Sequence, residues 1–317
     1  RQLRELAYVF EADKFRTPDV TVLSEHITKG TTPALSGIND LDYQKQPNSM
    51  VWMTREDGAL LSLTYERDQK VLAWARHEIG GFSDPGLTTP AAVESVACMP
   101  SADGTRDEVW AAVKRIIGGR TVRYIEYLTK TWEKGDLQAD AVYGDCALTY
   151  DGPAVSTITG LWHVVGETVN VLVDGAAHPE RVVSPTGTIT LTAPASKVQV
   201  GYSYNSDGQM LRQDVGAADG TAQGKLQRTH RVILRVHDTL GLKTGSGFHL
   251  TGPGKLTETT FYRGTTPADS MVPLYSGDVE ITWEGTYTTA NYVTWRFNGM
   301  FPGTVLAVMP QLHTQDR

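Results

Sequence analysis

The stretch SMVWMTREDGALLSLTYERDQKVLAWARHE, Ser49 to Glu78, constrains the fold more than any other part of the chain. Three runs of aliphatic and aromatic residues follow one another with only EDG and RDQ between them. Each run has the length and residue types of a strand. Asp and Gly at the first break suit the backbone of a tight turn. Connections this short force neighbouring strands to lie antiparallel and side by side. The stretch is expected to form a meander with Trp52, Leu61, Leu63 and Trp74 in its core.

A second unit of the same kind follows. VESVACMP leads through the polar loop SADGTR into DEVWAAVKRI, the turn GG and RTVRYIEYLTK. MVWMTREDGALLSLTY and EVWAAVKRIIGGRTVRYIEY share Val-Trp, a basic residue, a Gly-containing turn, an aliphatic strand and a Tyr. A weak repeat of about 50 residues is typical of β-propeller blades. Two units cannot close a propeller, which takes about four or more. The chain starts on Arg1 rather than Met, so an N-terminal part is expected to be absent. Missing blades would come from that part, from later strands or from neighbouring subunits.

The best helix candidate is TPDVTVLSEHITKG, with Thr17 as cap, Pro18 in the first turn and Gly30 as terminator. ETVNVLVDGAAHPERVV alternates with a period of two, placing Val169, Val171 and Val173 on one face before a DG hairpin. TGTITL and KVQVGYSY add two more strands, and a small barrel or sandwich is the natural result. VGAADGTAQGKLQR has the composition of a loop. In THRVILRVHDT, Val232, Leu234 and Val236 share one face, and Arg231, Ile233, Arg235 and His237 the other. The runs VEITWEG, YVTWRFNG and GTVLAVMPQL supply further strands. The expected fold is all-β with one short helix. Propeller-like blades occupy residues 1–130, a connector 131–160, a small β-barrel or sandwich 161–210, and a C-terminal β region 211–317 that returns to the propeller or packs on it.

The formal net charge is −7 and the pI about 5.6, which argues against a dedicated nucleic-acid binder. An acidic wall would instead let a duplex slide past. No apolar run approaches the roughly 18 residues of a membrane span, and no signal-peptide pattern is seen. The two cysteines, Cys98 and Cys146, sit in apolar runs and are expected to be buried thiols in a reducing compartment.

Glu56, Asp57, Glu66, Asp68 and His77 could be the acids and base of a hydrolase. The acids bracket turns, so solvated turn residues are the preferred reading. In the second unit RIIGG replaces REDG, keeping the turn and not the acids. The eight histidines, His26, His77, His163, His178, His230, His237, His249 and His313, show no metal-ligand spacing. No GxSxG or P-loop order occurs, and GLKTGSGFHLTGPGKL is expected to be a flexible loop. Lys114, Arg115, Arg120, Arg123 and Lys130 form a basic stretch that could meet phosphate or an acidic partner, or be a hairpin's solvated face. No catalytic, cofactor-binding or metal residue is assigned, and no cofactor is expected.

The runs QKQPNSMVW, LTYERDQKVLAWARH and ADGTAQGK, with VESVACMP, DEVWAAVKR, GLWHVVGETVNVLVDGAAHP, KVQVGYSY, RVILRVHDTLGLKTG and TVLAVMPQLHTQD in the same order, resemble the tail nozzle proteins of short-tailed phages and prophages. These are also called DNA-stabilisation or tubular tail proteins. The resemblance spans about Leu6 to Asp316. It implies a non-catalytic virion protein, assembled in the host cytoplasm as a homo-oligomeric ring, typically a hexamer. Portal or adaptor proteins and tail fibre or needle proteins would be its partners, and double-stranded DNA would pass through without specific binding. The ETVNVLVDGAAHP segment is also similar to the small barrel of the first catalytic-cysteine half-domain of ubiquitin-activating enzymes, without its cysteine. The alternative is a tail-associated module that binds or hydrolyses host glycans, with Trp132, Trp162, Trp283 or Trp295 stacked on sugars.

Overall fold

The computed structural model describes residues 2–30, 32, 35, 37–133, 135–214, 216–217, 220–247, 256–261, 271–281, 283, 285–289 and 291–315. The chain is all-β, built from antiparallel sheets. It divides into two compact units, Arg1–Lys130 with Trp162–Glu167, and Thr131–Leu161 with Thr168–Arg317. No helix among the described residues is long and apolar enough to cross a membrane.

The first unit opens with the hairpin β1 (Ala7–Val9) and β2 (Lys14–Arg16), then the helix α1 (Glu25–Thr28). The strands β3 (Ile38–Gln44), β4 (Met50–Arg55), β5 (Leu60–Glu66) and β6 (Val71–His77) form one sheet in chain order. A second sheet, also in chain order, holds β7 (Ala92–Pro100), β8 (Asp107–Ile117) and β9 (Arg120–Tyr127). Chain order follows from the tight turns. At Gly58, φ is +88°, and a Cβ would stand 2.4 Å from that of Ala92, so backbone conformation and space both demand glycine.

The expected core is present but split over two faces. Trp52 and Leu60 pack with Val93, Val96, Val109, Ala111 and Val113, so the two sheets stack face to face. Met53, Leu61 and Leu63 point the other way, against Leu3, Val20, Ile27 and the half-buried Trp74.

The stacked sheets are joined by side chains rather than by a ladder. Asp40 accepts from Val96 N–H at 3.2 Å and Ser95 Oγ at 3.0 Å, and Asp42 accepts from Cys98 N–H at 2.6 Å. Gln44 donates to the Asp107 carbonyl at 3.1 Å and accepts from Trp52 Nε1 at 2.9 Å. The Asp107 carboxylate accepts from Lys45 and Gln46 N–H at 2.8 and 3.0 Å. Asp40, Asp42 and Gln44 alternate along β3, so the strand period aims all three at β7 and β8. The unpaired edge of β7 is thereby covered.

The expected helix over Thr17–Gly30 shrinks to Glu25–Thr28. Residues ahead of it are claimed by the N-terminal segment: Arg4 bridges Asp19, Glu5 N–H donates to Pro18 at 3.1 Å, and Val20 N–H to Leu3 at 3.0 Å. Extended pairing there packs the half-buried Val20 against the first sheet. The Val-Trp repeat holds for strands and not for residues. Trp52 lies opposite Ser62, whereas Trp110 lies opposite Tyr127, on the face turned away from the first sheet.

In the second unit, β10 (Asp145–Ile158), β11 (Thr168–Val173), β12 (Ala176–Val182) and β13 (Ile189–Tyr202) form a sheet in the order β10-β13-β11-β12. Asp145–Ile158, within the stretch expected to be a connector, is thus a 14-residue strand. The sheet is open among the described residues, and the expected barrel does not close. Four strands make a ribbon only about 14 Å across, too narrow to curl round a packed interior. Val169 and Val171 are buried as the alternation requires, and Asp174–Gly175 makes the hairpin with positive φ at both residues.

The strand β14 (Ser206–Gln209) is followed by a two-residue pair, β15 (Gly216–Ala217) and β16 (Gly220–Thr221), inside the expected loop. Then come β17 (Leu226–Thr239), β18 (Leu242–Gly245), β19 (Thr257–Glu258), β20 (Tyr275–Ile281), β21 (Thr294–Phe297) and β22 (Thr304–Gln315). The sheets β20-β17-β22 and β14-β21-β18-β19 enclose one core of Val232, Leu234, Val236, Leu242, Ile281, Val293 and Phe297. The expected face of β17 is therefore the buried one. Its other face carries Arg231 paired with Glu280 and Arg235 with Asp278, both at the neighbouring strand. The expected flexible loop from Gly241 begins as β18, and its residues 248–255 lie outside the described residues.

Asp42→Ala removes the acceptor of Cys98 N–H and is expected to cost roughly 1–3 kcal/mol of stability. A lower urea midpoint at unchanged slope is the readout. Asp42→Asn, which keeps an acceptor oxygen, should recover part of the loss.

Candidate functional site

The turn that carries Glu56 and Asp57 is built around a buried cation. Arg55 forks onto both oxygens of Asp57, at 2.7 Å each, and donates to the carbonyls of Ile27 and Lys29 at 2.5 and 2.6 Å. Those carbonyls belong to the end of α1, so Arg55 ties that end to the β4–β5 turn. Asp57 is its counter-ion, rather than the freely solvated turn residue expected. Glu56 and Asp68 are exposed, and Glu66 is half-buried at the end of β5.

His77 is half-buried at the end of the edge strand β6, on the face that carries Trp52 and Leu60. Its Nε2 lies 2.8 Å from Ser62 Oγ, and its ring centroid 5.1 Å from that of Trp52. Burial pushes its pKa down to about 4, so the imidazole is neutral at physiological pH. A neutral imidazole on a serine hydroxyl is the pairing of a base and a nucleophile. Ser62, however, is buried on the Trp52 side of the sheet, which packs on the second sheet. A substrate has no access to it, and the pair acts as a satisfied polar contact. Ser62 was not legible as a partner, because only the β5–β6 register brings it to His77.

The other histidines are scattered. His26 is exposed on α1, and His163 meets the edge of Tyr124. His178 accepts Thr192 N–H at 3.1 Å, with Nδ1 2.8 Å from the Pro179 carbonyl. His230 and His313 rings lie 4.6 Å apart across β17 and β22, and His237 is beside Asp238. His249 lies outside the described residues. Among the described residues no group of three or more His, Cys, Asp or Glu could hold a metal ion.

Both cysteines are thiols outside any disulfide, Cys146 buried and Cys98 half-buried. Burial, with Asp42 and Asp107 nearby, pushes the Cys98 thiol up to about 12. It is a protonated, inert group.

The basic stretch is not a free positive face. Arg115 is fully buried, donates to the Gly80 carbonyl at 2.8 Å and forks onto Glu126. Arg123 forks onto Glu94 at 2.6 and 3.0 Å. Each holds the other's charge: Arg123 lowers the Glu94 pKa and Glu94 raises that of Arg123. Lys114 is half-buried, while Arg120 and Lys130 are exposed.

No protein-family model matches this chain, and no curated protein matches it.

Of the four tryptophans proposed to stack on sugars, Trp283 and Trp295 pack against the core of the C-terminal sheets. The Trp295 ring lies across Gly208, where a Cβ would come within 2.2 Å of it. Trp132 is half-buried and donates to the Leu137 carbonyl at 3.1 Å. Only Trp162, at 65% exposure, presents a large indole surface.

Two outcomes follow. The folded protein resists protonation at His77 down to about pH 4, while the unfolded chain takes up that proton near 6.5. The contribution is complete above pH 6.5 and is lost as pH falls toward 4. Urea midpoints measured across that window should fall with acid, and less so in His77→Gln. Thiol titration at pH 8 should find Cys98 unreactive until denaturant is added.

Proposed function

We propose that this chain is a virion structural protein that forms the distal tail nozzle of a short-tailed phage or prophage and extends its DNA-ejection channel. The observation that carries the reading is the pair of consecutive meanders stacked face to face. Neighbouring propeller blades stack in this way, and the ordered runs that resemble the nozzle family contain both meanders. Further support comes from the use made of reactive groups. Asp57 neutralises Arg55, His77 is closed in against Ser62, and the Cys98 thiol is held protonated. These are the habits of a scaffold. A net charge of −7 suits a wall that duplex DNA passes without sticking.

In this reading copies of the chain form a ring, typically of six, docked to portal or adaptor proteins, with tail fibre or needle proteins beyond. Assembly takes place in the host cytoplasm, and the finished protein resides in the virion tail.

A module that binds or cleaves host glycans is the second reading, favoured by the exposed indole of Trp162. Electron microscopy of the full-length protein, alone and with its adaptor, separates the two. Rings with a central channel are expected. Particles without a ring in either preparation would sink the nozzle, and saturable binding of host polysaccharide lost in Trp162→Ala would establish the alternative.

A further inference from the structure

Two of the apolar surfaces that the first unit exposes lie at opposite ends of its stack. One is the N-terminal hairpin. Along β1 the side chains alternate: Ala7 is buried, while Leu6, Tyr8 and Phe10 on the other side are exposed. Phe15 of β2 stands opposite Tyr8 and joins that face, their ring centroids 5.3 Å apart. Phe10, at the hairpin tip, is 88% exposed and Phe15 is 65% exposed. The Tyr8 hydroxyl is held by Asp13, which leaves its ring as the contact surface. A two-stranded hairpin is marginal by itself. Its base is anchored where Leu3 and Val20 pack on the first sheet and Glu5 pairs with Arg67 at 3.3 Å.

The other surface is the outer face of the β7-β8-β9 sheet. The register puts Ala97, Trp110 and Tyr127 in one row and Ser95, Ala112 and Ile125 in the next. The Trp110 and Tyr127 rings lie 5.0 Å apart, and Ile125 is 70% exposed. Met99 extends the patch. The inner face of the same sheet is buried on Trp52 and Leu60, so this outer face is the free end of the stack.

The hairpin patch exposes on the order of 500 Å² of largely apolar surface and the sheet patch on the order of 300–400 Å², taking about 200 Å² for a whole large side chain. Monomers rarely expose contiguous apolar patches beyond a few hundred Å². A standard interface buries about 800 Å² per partner, a little over half of it apolar. The hairpin patch therefore has the apolar area of one half of a stable interface, and the sheet patch comes close to it. One is a narrow projecting hairpin and the other a flat sheet. Placed at opposite ends of the stack, they cannot cover each other within one copy.

We infer that the aromatic face of the N-terminal hairpin, Leu6, Tyr8, Phe10 and Phe15, docks on the outer face of the β7-β8-β9 sheet of a second copy of this chain. The contact is heterologous, so repeating it builds a closed ring or a filament rather than a two-fold dimer. It rests on the proposed reading only in supplying the contact by which that ring would close.

The test mixes two single variants, Phe10→Cys and Ile125→Cys, under mild oxidation. Cys98 and Cys146 stay in place as silent thiols. A disulfide-linked pair should form in the mixture and not in either variant alone, and the double variant should give a ladder. In sedimentation, Phe10→Glu with Phe15→Glu, and separately Ile125→Lys, should each weaken self-association by about tenfold or more. Urea unfolding should be unchanged, because these side chains are exposed in the single chain. Equal cross-linking of Phe10→Cys with itself overturns the inference, as does a wild-type chain that stays monomeric at its highest soluble concentration. Rings that survive both sets of charge substitutions sink this contact and leave the nozzle standing. Mixed cross-links that give only filaments, with no ring even beside the adaptor, sink the nozzle and leave the contact.

Discussion

The first unit depends on carboxylates that take the place of a missing β-ladder. Asp40 and Asp42 reach from β3 to the edge amides of Val96 and Cys98, and Asp107 answers from the second sheet to Lys45 and Gln46. Without them, the stack would rest on apolar contact, which has no direction, and on the backbone bonds from Val93 N–H to Gly58 and from Asp107 N–H to Gln46. Charge-assisted hydrogen bonds are directional and roughly twice as strong as neutral ones. Gln44 adds a neutral link, holding the Trp52 indole N–H and donating to the Asp107 carbonyl, and so places Trp52 over Val109 and Ala111. Gly58 completes the arrangement by letting the β4–β5 turn touch Ala92.

The same use of charge recurs inside each layer. Arg55 and Arg115 are buried cations, each forked onto a carboxylate and satisfied further by backbone carbonyls. Such pairs give little net stability, because desolvation offsets their attraction, but breaking one leaves a buried charge and is costly. They act as locks on geometry. Arg55 fixes the end of α1 to a turn, and Arg115 fixes the Gly80 backbone to the second sheet. Much of the first unit's conspicuous chemistry thus goes into holding layers in place. This leaves the exposed apolar faces of the hairpin and of β9 as its most distinctive surfaces.

Much of the fold was legible because turns and alternation are local. Trp52, Leu61, Leu63, Val169, Val171, Val232, Leu234 and Val236 are buried where their patterns put them. What failed was not local. Thr17–Gly30 has helix signals at both ends, yet Leu3 and Glu5 draw residues 18–20 into extended pairing. Asp145–Ile158, with its Gly-Pro, has no clean strand signal, and its pairing with β13 carries repeated register shifts. The candidate acids and bases were visible as residues, but their partners Ser62, Ile27 and Gly80 were not, since each is set by register or packing.

The sequence by itself determined an all-β chain, two successive meanders, a DG hairpin and the apolar face of β17, because side-chain period and turn chemistry act over a few residues. Only the tertiary structure decided that Trp52 faces the second sheet while Trp110 turns away from the first. Stacking then buries one indole and leaves the other on the open face, a choice made by which surfaces meet.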